Sequence, residues 1–211
     1  MGFIERPPEW FRRLVRAGEF RILHRSRESA EVDPKTVYLT FDDGPIPEVT
    51  SWVLDMLDRY GVKATFFMVG ENVMRHPELL AEIRRRGHGV GNHTLHHLQG
   101  SKVTTRRYLR DVEKADKLLS TPLFRPPHGW LRPRQAHALK KKYRIIMYDL
   151  VTRDYSKRLT PEQVVRNVKR YARDGSIIVF HDSLKSWPRL ETALPASLEW
   201  LCAQGFRFAL L

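Results

Sequence analysis

Two adjacent carboxylates, Asp42 and Asp43, stand in Thr40-Phe41-Asp42-Asp43-Gly44-Pro45, directly after the apolar run Val37-Tyr38-Leu39. Neighbouring negative charges repel, and along a strand their side chains point to opposite faces. Gly44-Pro45 breaks the strand at this point, which lets both carboxylates reach the space above a sheet edge. A bound cation is the usual way to hold such a pair, one carboxylate ligating while the other stays free to take a proton. Partners for an ion follow in Gly91-Asn92-His93-Thr94-Leu95-His96-His97. The spacing of His93 and His97 predicts a helical turn with both imidazoles on one face and His96 pointing elsewhere. Two histidines and an aspartate make an open site, with three protein ligands and a place left for water or substrate.

The elements that must position these groups alternate. After residue 35, strand patterns at 36–40, 64–69, 89–92, 123–125, 144–149, 176–180 and 206–210 are separated by helical ones, the signature of a parallel sheet wrapped by helices. Val49, Trp52, Val53, Met56 and Leu57 recur at helical spacing over 48–60. Pro77 opens a helix that Gly87 ends, and Thr160-Pro161-Glu162-Gln163 reads as an N-cap with a capping box, starting a helix to Tyr171. Seven strands fit a barrel with one unit fewer than the common eightfold form. Asp42, Asp43, His93, Arg125, Asp149 and His181 all fall at or just past the C-terminal end of a predicted strand, where barrels of this class build their sites.

With 211 residues, 42% of them hydrophobic, the chain suits one sizeable core. Cys202 is the single cysteine, so an intrachain disulfide is excluded. A net charge of +13 attracts polyanions, and an acidic glycan or an anionic membrane surface suits it better than nucleic acid. The basic residues look scattered through many helices and no nucleic-acid motif is present, so dedicated nucleic-acid binding is not expected. Residues 1–35 differ in character. Trp10, Phe11, Leu14 and Val15 form an apolar stripe with Arg12, Arg13 and Arg16 on other faces, which predicts a basic amphipathic helix packed on the barrel, or else lying on a membrane surface. Arginines interrupt any apolar leader, so the expected location is cytoplasmic or peripheral to a membrane, or exported if a leader has been removed.

The same segments resemble the polysaccharide deacetylases of carbohydrate esterase family 4, the NodB homology domain, over roughly Thr36 to Phe208. Thr40 to Pro45 and His93-Thr94-Leu95-His96-His97 match its first two motifs in full. Arg125-Pro126-Pro127-His128-Gly129, Asp149 to Tyr155 and Val179-Phe180-His181-Asp182 are similar to its third, fourth and fifth, with His128 where an aromatic is usual, Tyr155 for Trp and Val179 for Leu. The resemblance implies a distorted (β/α)7 barrel related to the TIM barrel, over residues 36–211, and a metal-dependent hydrolase that removes N-acetyl groups from sugars of a polysaccharide or oligosaccharide.

On that resemblance Asp43, His93 and His97 hold one divalent ion, most naturally zinc, though two imidazoles and a carboxylate also take cobalt or nickel. Asp42 is the general base and Arg125 its bidentate anchor. His181 is the candidate general acid, oriented by Asp154. The backbone N–H of His128 falls in the oxyanion hole while its side chain lines the groove or, alternatively, adds a fourth ligand. Tyr155, Val179 and Trp187 are expected as apolar walls around the acetyl methyl, with Asp149 and Asp182 as further groups of the same pocket. Two other readings use the same scaffold: a hydrolase of small amides or ureides, and a catalytically silent glycan-binding module. The silent reading sits poorly with a chain that keeps both base and ligands.

Overall fold

The computed structural model describes residues 35–211, so the expected N-terminal extension and its amphipathic segment lie outside the described residues. Eight strands form one sheet: β1 (Thr36–Asp42), β2 (Thr65–Met68), β3 (Gly89–Asn92), β4 (Leu123–Phe124), β5 (Arg144–Ile145), β6 (Leu150–Val151), β7 (Ile177–His181) and β8 (Arg207–Phe208). Their order is β5-β4-β3-β2-β1-β7-β6, with β8 beside the start of β1, and every pairing is parallel. The helices are α1 (Pro47–Arg59), α2 (Gly70–Arg75), α3 (Pro77–Arg85), α4 (Thr105–Leu119), α5 (Pro133–Leu139), α6 (Pro161–Tyr171) and α7 (Trp187–Ala203). None is long and apolar enough to cross a membrane.

Alternation along the central strands separates core from site. Val37, Leu39 and Phe41 of β1 join Phe66 and Met68 of β2 and Ile178 and Phe180 of β7 in the layer between sheet and helices. The opposite parity puts Thr40 and Asp42, Phe67, and Val179 and His181 on the barrel's inner face. Phe67 fits there because Gly91 of neighbouring β3 has no side chain; a Cβ at that position would overlap the phenyl ring. Outside, α6 starts as expected, with Gln163 N donating to Thr160 Oγ1 and Thr160 N to Gln163 Oε1.

Of the strand predicted at 144–149 only Arg144–Ile145 pairs, as β5; β6 begins just past it at Leu150, and the two lie at opposite edges of the sheet. The stretch between them carries the chain across the barrel's seam, where the carbonyls of residues 146 and 147 face no neighbouring strand. The Arg125 guanidinium fills that gap, its Nε donating to Ile146 O at 3.4 Å and its Nη2 to Met147 O at 3.3 Å. A buried carbonyl without a donor costs about 1–3 kcal/mol, so this side chain closes the seam as well as serving the site above it. Counting β5–β6 as one interrupted unit gives the seven-unit distorted barrel.

Candidate active site

At the end of β1 the backbone turns sharply. Asp43 has φ 85°, and the following Gly44–Pro45 bond is cis. The turn is pinned from beneath by Asp182, whose Oδ1 accepts from Gly44 N at 3.0 Å and whose Oδ2 accepts from Thr50 Oγ1 at 2.7 Å. Only glycine fits at position 44, since a Cβ there would fall inside the Asp182 carboxylate. Asp182 is therefore a buttress for the Asp43 turn, and burial pushes its carboxyl up to about 8 despite these donors. Asn72 of α2 donates to Asp43 O at 2.8 Å and completes the clamp.

Residues 93–97 are not a helical turn, contrary to the spacing argument. They form a loop with Thr94 at φ 66° and His97 at φ 52°, and this loop, not a helix face, brings the two imidazole centroids to 5.1 Å. Asp111 of α4 shapes it: Oδ2 accepts from Leu95 N and His96 N, both at 3.0 Å, while Oδ1 lies 2.6 Å from His96 Nδ1. Sequence reasoning missed Asp111, although a signal exists. It lies on the stripe of Tyr108, Val112, Ala115 and Leu119, an acid among buried apolar positions, and such an acid needs a partner.

Asp43, His93 and His97 each offer a ligand atom, and these atoms lie within 4.8 Å of one another. His97 Nε2 is 3.1 Å and His93 Nε2 3.7 Å from Asp43 Oδ1. His93 Nδ1 sits 2.8 Å from the carbonyl of Arg125, so Nδ1 carries the proton and Nε2 presents its lone pair inward. Burial holds His93 down at about 4, which keeps that lone pair available. Burial opposes ionisation of Asp43, but the hydrogen bond to His97 and the nearby imidazoles win and set its carboxyl well below the usual range. Nitrogen and carboxylate donors with a fixed tautomer suit a divalent metal ion.

Arg125, fully buried, reaches Asp42 with one nitrogen, Nη1 to Oδ1 at 2.6 Å, and the same nitrogen donates to Thr40 Oγ1 at 2.8 Å. The bidentate contact expected from the sequence is absent because Nε and Nη2 are committed to the seam carbonyls. Phe67 lies flat beneath the guanidinium, 4.0 Å from ring centroid to Cζ. This leaves Asp42 Oδ2 facing inward, 4.0 Å from His93 Nε2.

On β7, in register beside Asp42, His181 is held by Asp154, whose Oδ1 meets Nδ1 at 2.8 Å and whose Oδ2 accepts the His181 backbone N–H at 2.7 Å. Burial disfavours the imidazolium, yet the Asp154 carboxylate outweighs it and raises the histidine to about 9. The Tyr155 ring stands edge-on to His181, centroids 4.8 Å apart. Val179 is buried on the same strand face as His181. His128, at φ 58°, sets its ring 4.8 Å from that of His97 while remaining exposed, and partial desolvation, then the neighbouring His97, lowers its pKa. It stands outside the Asp43–His93–His97 cluster.

Two expected members lie elsewhere. Trp187 packs edge-to-face on Trp52 of α1, centroids 5.0 Å apart, against the outer core. Asp149 precedes β6 instead of ending a strand, and its Oδ2 accepts from Ile177 N at the start of β7, at the far end of the barrel from His181. The error follows from reading 144–149 as one strand.

The family model for polysaccharide deacetylases matches residues 29–146. A peptidoglycan-N-acetylglucosamine deacetylase of Bacillus cereus is 34% identical over 182 residues, covering 82% of this chain and 85% of that protein. A chitooligosaccharide deacetylase of Rhizobium leguminosarum bv. trifolii is 30% identical, covering 74% and 75%. Among solved structures, the peptidoglycan deacetylase PdaC from Bacillus subtilis superposes with a TM-score of 0.76 at 29% identity, over 85% of this chain and 90% of that one. With the fold, the Asp/His/His cluster and these relatives in agreement, the chain belongs to the polysaccharide deacetylase family of carbohydrate-directed hydrolases.

Proposed function

We propose that this chain hydrolyses the N-acetyl groups of N-acetylglucosamine-type units in a glycan chain, of the peptidoglycan or chito-oligosaccharide kind. The observation that carries this reading is the pairing of two differently anchored proton groups around one ligand cluster: Asp42 on Arg125, and His181 on Asp154. Asp43, His93 and His97 would hold the ion, zinc first and cobalt or nickel as alternatives. Such an ion supplies polarisation of the acetyl carbonyl and a lowered pKa for water. Asp42 takes the proton of the attacking water through Oδ2, the oxygen that Arg125 leaves free. The backbone N–H of His128, the first after two prolines, donates to the oxygen of the tetrahedral intermediate. His181, kept protonated by Asp154, gives its Nε2 proton to the leaving amine as the carbon–nitrogen bond breaks, so that acetate and the amino sugar result. Tyr155 and Val179 wall the acetyl methyl.

Acetate release from N-acetylchitohexaose and from peptidoglycan fragments, before and after chelation and with zinc, cobalt or nickel restored, tests the reading. Loss on chelation with recovery on metal addition is expected. Turnover unaffected by a chelator, or no acetate from any acetylated glycan, overturns it.

A further inference from the structure

Read along the chain the basic residues look dispersed, but the fold gathers them. Residues 100–142 contain twelve Lys or Arg against three Asp or Glu, a net +9 out of the chain's +13. Of the three acids, Asp111 is buried on the His96 loop and Asp116 is paired with Lys142. Within this stretch an open pocket of about 650 Å³ is lined by Ser101, Thr105, Arg132, Pro133 and Arg134. Arg134 is also exposed to a neighbouring hollow lined by His137 and Lys140. Neither Arg134 nor Lys102 has an acidic partner among the described residues.

The segments that line the pocket are tied to those that carry site residues. The turn Gly100–Lys102 follows the His93–His97 loop and is locked to the segment that carries His128: Gln135 Nε2 donates to Gly100 O at 3.0 Å and Arg132 Nη2 to Ser101 O at 2.6 Å. A Cβ on Gly100 would come within 2.8 Å of Trp130 O, so the two segments are in direct contact. Trp130 itself, two residues beyond His128, is 60% exposed. A large exposed aromatic on a firmly held backbone marks a contact surface, and an indole face suits the C–H face of a pyranose ring. Exposed cations beyond it, with no acids to balance them, suit a chain whose next units carry negative charge.

We infer that the glycan on which this enzyme acts bears carboxylate or phosphate groups, and that Trp130 and the Ser101–Thr105–Arg132–Arg134 pocket bind an anionic unit next to the sugar being deacetylated. This rests on the deacetylase reading above and narrows its substrate. The commitment is to a glycan; nucleic acid is an outcome of the test.

The probes are N-acetylchitohexaose and the same oligomer partly carboxymethylated, which adds carboxylates without changing linkage or length. The readout is the ratio of KM for the anionic chain to KM for the neutral one, so any general loss of activity cancels. In the wild type the ratio lies below one and climbs towards one as salt rises, because surface ion pairs are screened. Arg134→Glu raises the ratio roughly fivefold. Trp130→Ala raises KM for both hexamers while leaving their ratio near the wild-type value. A ratio of one in the wild type, or the same ratio in Arg134→Glu, overturns the inference. So does a short DNA duplex that blocks turnover of the neutral hexamer at lower charge concentration than the anionic hexamer does. If no chain is deacetylated at all, the functional reading fails, and calorimetry of the carboxymethylated oligomer on wild type and Arg134→Glu still decides whether the pocket binds anionic glycan.

Discussion

Two ion pairs, Arg125–Asp42 and His181–Asp154, stand side by side on neighbouring strands, Asp42 of β1 in register with His181 of β7, and they are built for different work. Arg125–Asp42 joins a group that never loses its charge to a carboxylate; the same nitrogen also donates to Thr40, and the other two are tied to the carbonyls of the barrel seam. The arginine stays charged throughout the range from pH 5 to 9. His181–Asp154 joins a side-chain type whose ordinary pKa falls within this range to a carboxylate that also holds its backbone N–H. The first pair fixes geometry; the second sets how tightly a transferable proton is held. The same kind of contact, at 2.6 Å in one and 2.8 Å in the other, thus yields a permanent strut and a proton store.

Breaking the strut has the largest expected effect. Arg125→Met leaves Asp42 as an uncompensated buried charge and removes donors from two seam carbonyls, so urea unfolding should show a loss of about 3–5 kcal/mol, with no measurable turnover. Arg125→Lys cannot span Asp42 and the seam together and should restore little of either. Asp42→Asn keeps the shape and removes the base, and should lower acetate release by ~100- to 10,000-fold while metal content stays near one equivalent. His181→Ala should cost a comparable factor in rate with the fold intact. A substantially lower metal content in Asp42→Asn would place Asp42 among the ligands.

Weaker effects should come from the residues that hold the ligand loops. Asp111→Ala removes the acceptor for two backbone N–H groups of the His93–His97 loop, and should weaken metal binding roughly 10- to 100-fold, as measured by competition with a chelator. Gly44→Ala must displace Asp182 from the Asp43 turn, and a melting curve should register a loss of about 1–3 kcal/mol. A further signal is in the pH dependence of stability. His181 is raised to about 9 from an unfolded value of 6.5, so its pairing contributes fully below about 6.5 and is lost as pH rises through 9. Metal-free wild type should therefore lose stability over that window more steeply than His181→Ala.

Much of this was legible in the sequence because the chemistry is local in the chain. Asp42-Asp43-Gly44-Pro45 stands at the end of a strand, and a strand's end is where a barrel presents its groups, so both carboxylates could be placed at the site without coordinates. His93 and His97 were also found, though for a mistaken reason: spacing suggested a helix, whereas a buried acid fifteen residues downstream of His96 folds them into a loop. What stayed hidden depended on contacts distant in sequence. The seam between β5 and β6 is a property of the closed sheet, and with it went the single-nitrogen Arg125 contact and the misplacement of Asp149. Trp187 is an aromatic just past His181, but whether it faces the pocket or Trp52 depends on the helix it begins. The basic surface shows the same limit, since charges spread over forty residues come together only once α4 and α5 lie side by side.

The division of labour between the two pairs is tested most directly by the pH profile of kcat for Asp154→Asn on N-acetylchitohexaose, at saturating metal. The expected result is that the alkaline limb, set by His181, moves to lower pH once the carboxylate is gone, because the strongest influence opposing burial of the imidazolium has been removed. An alkaline limb that stays in place in this variant would contradict it, and would mean that a group other than His181 delivers the proton.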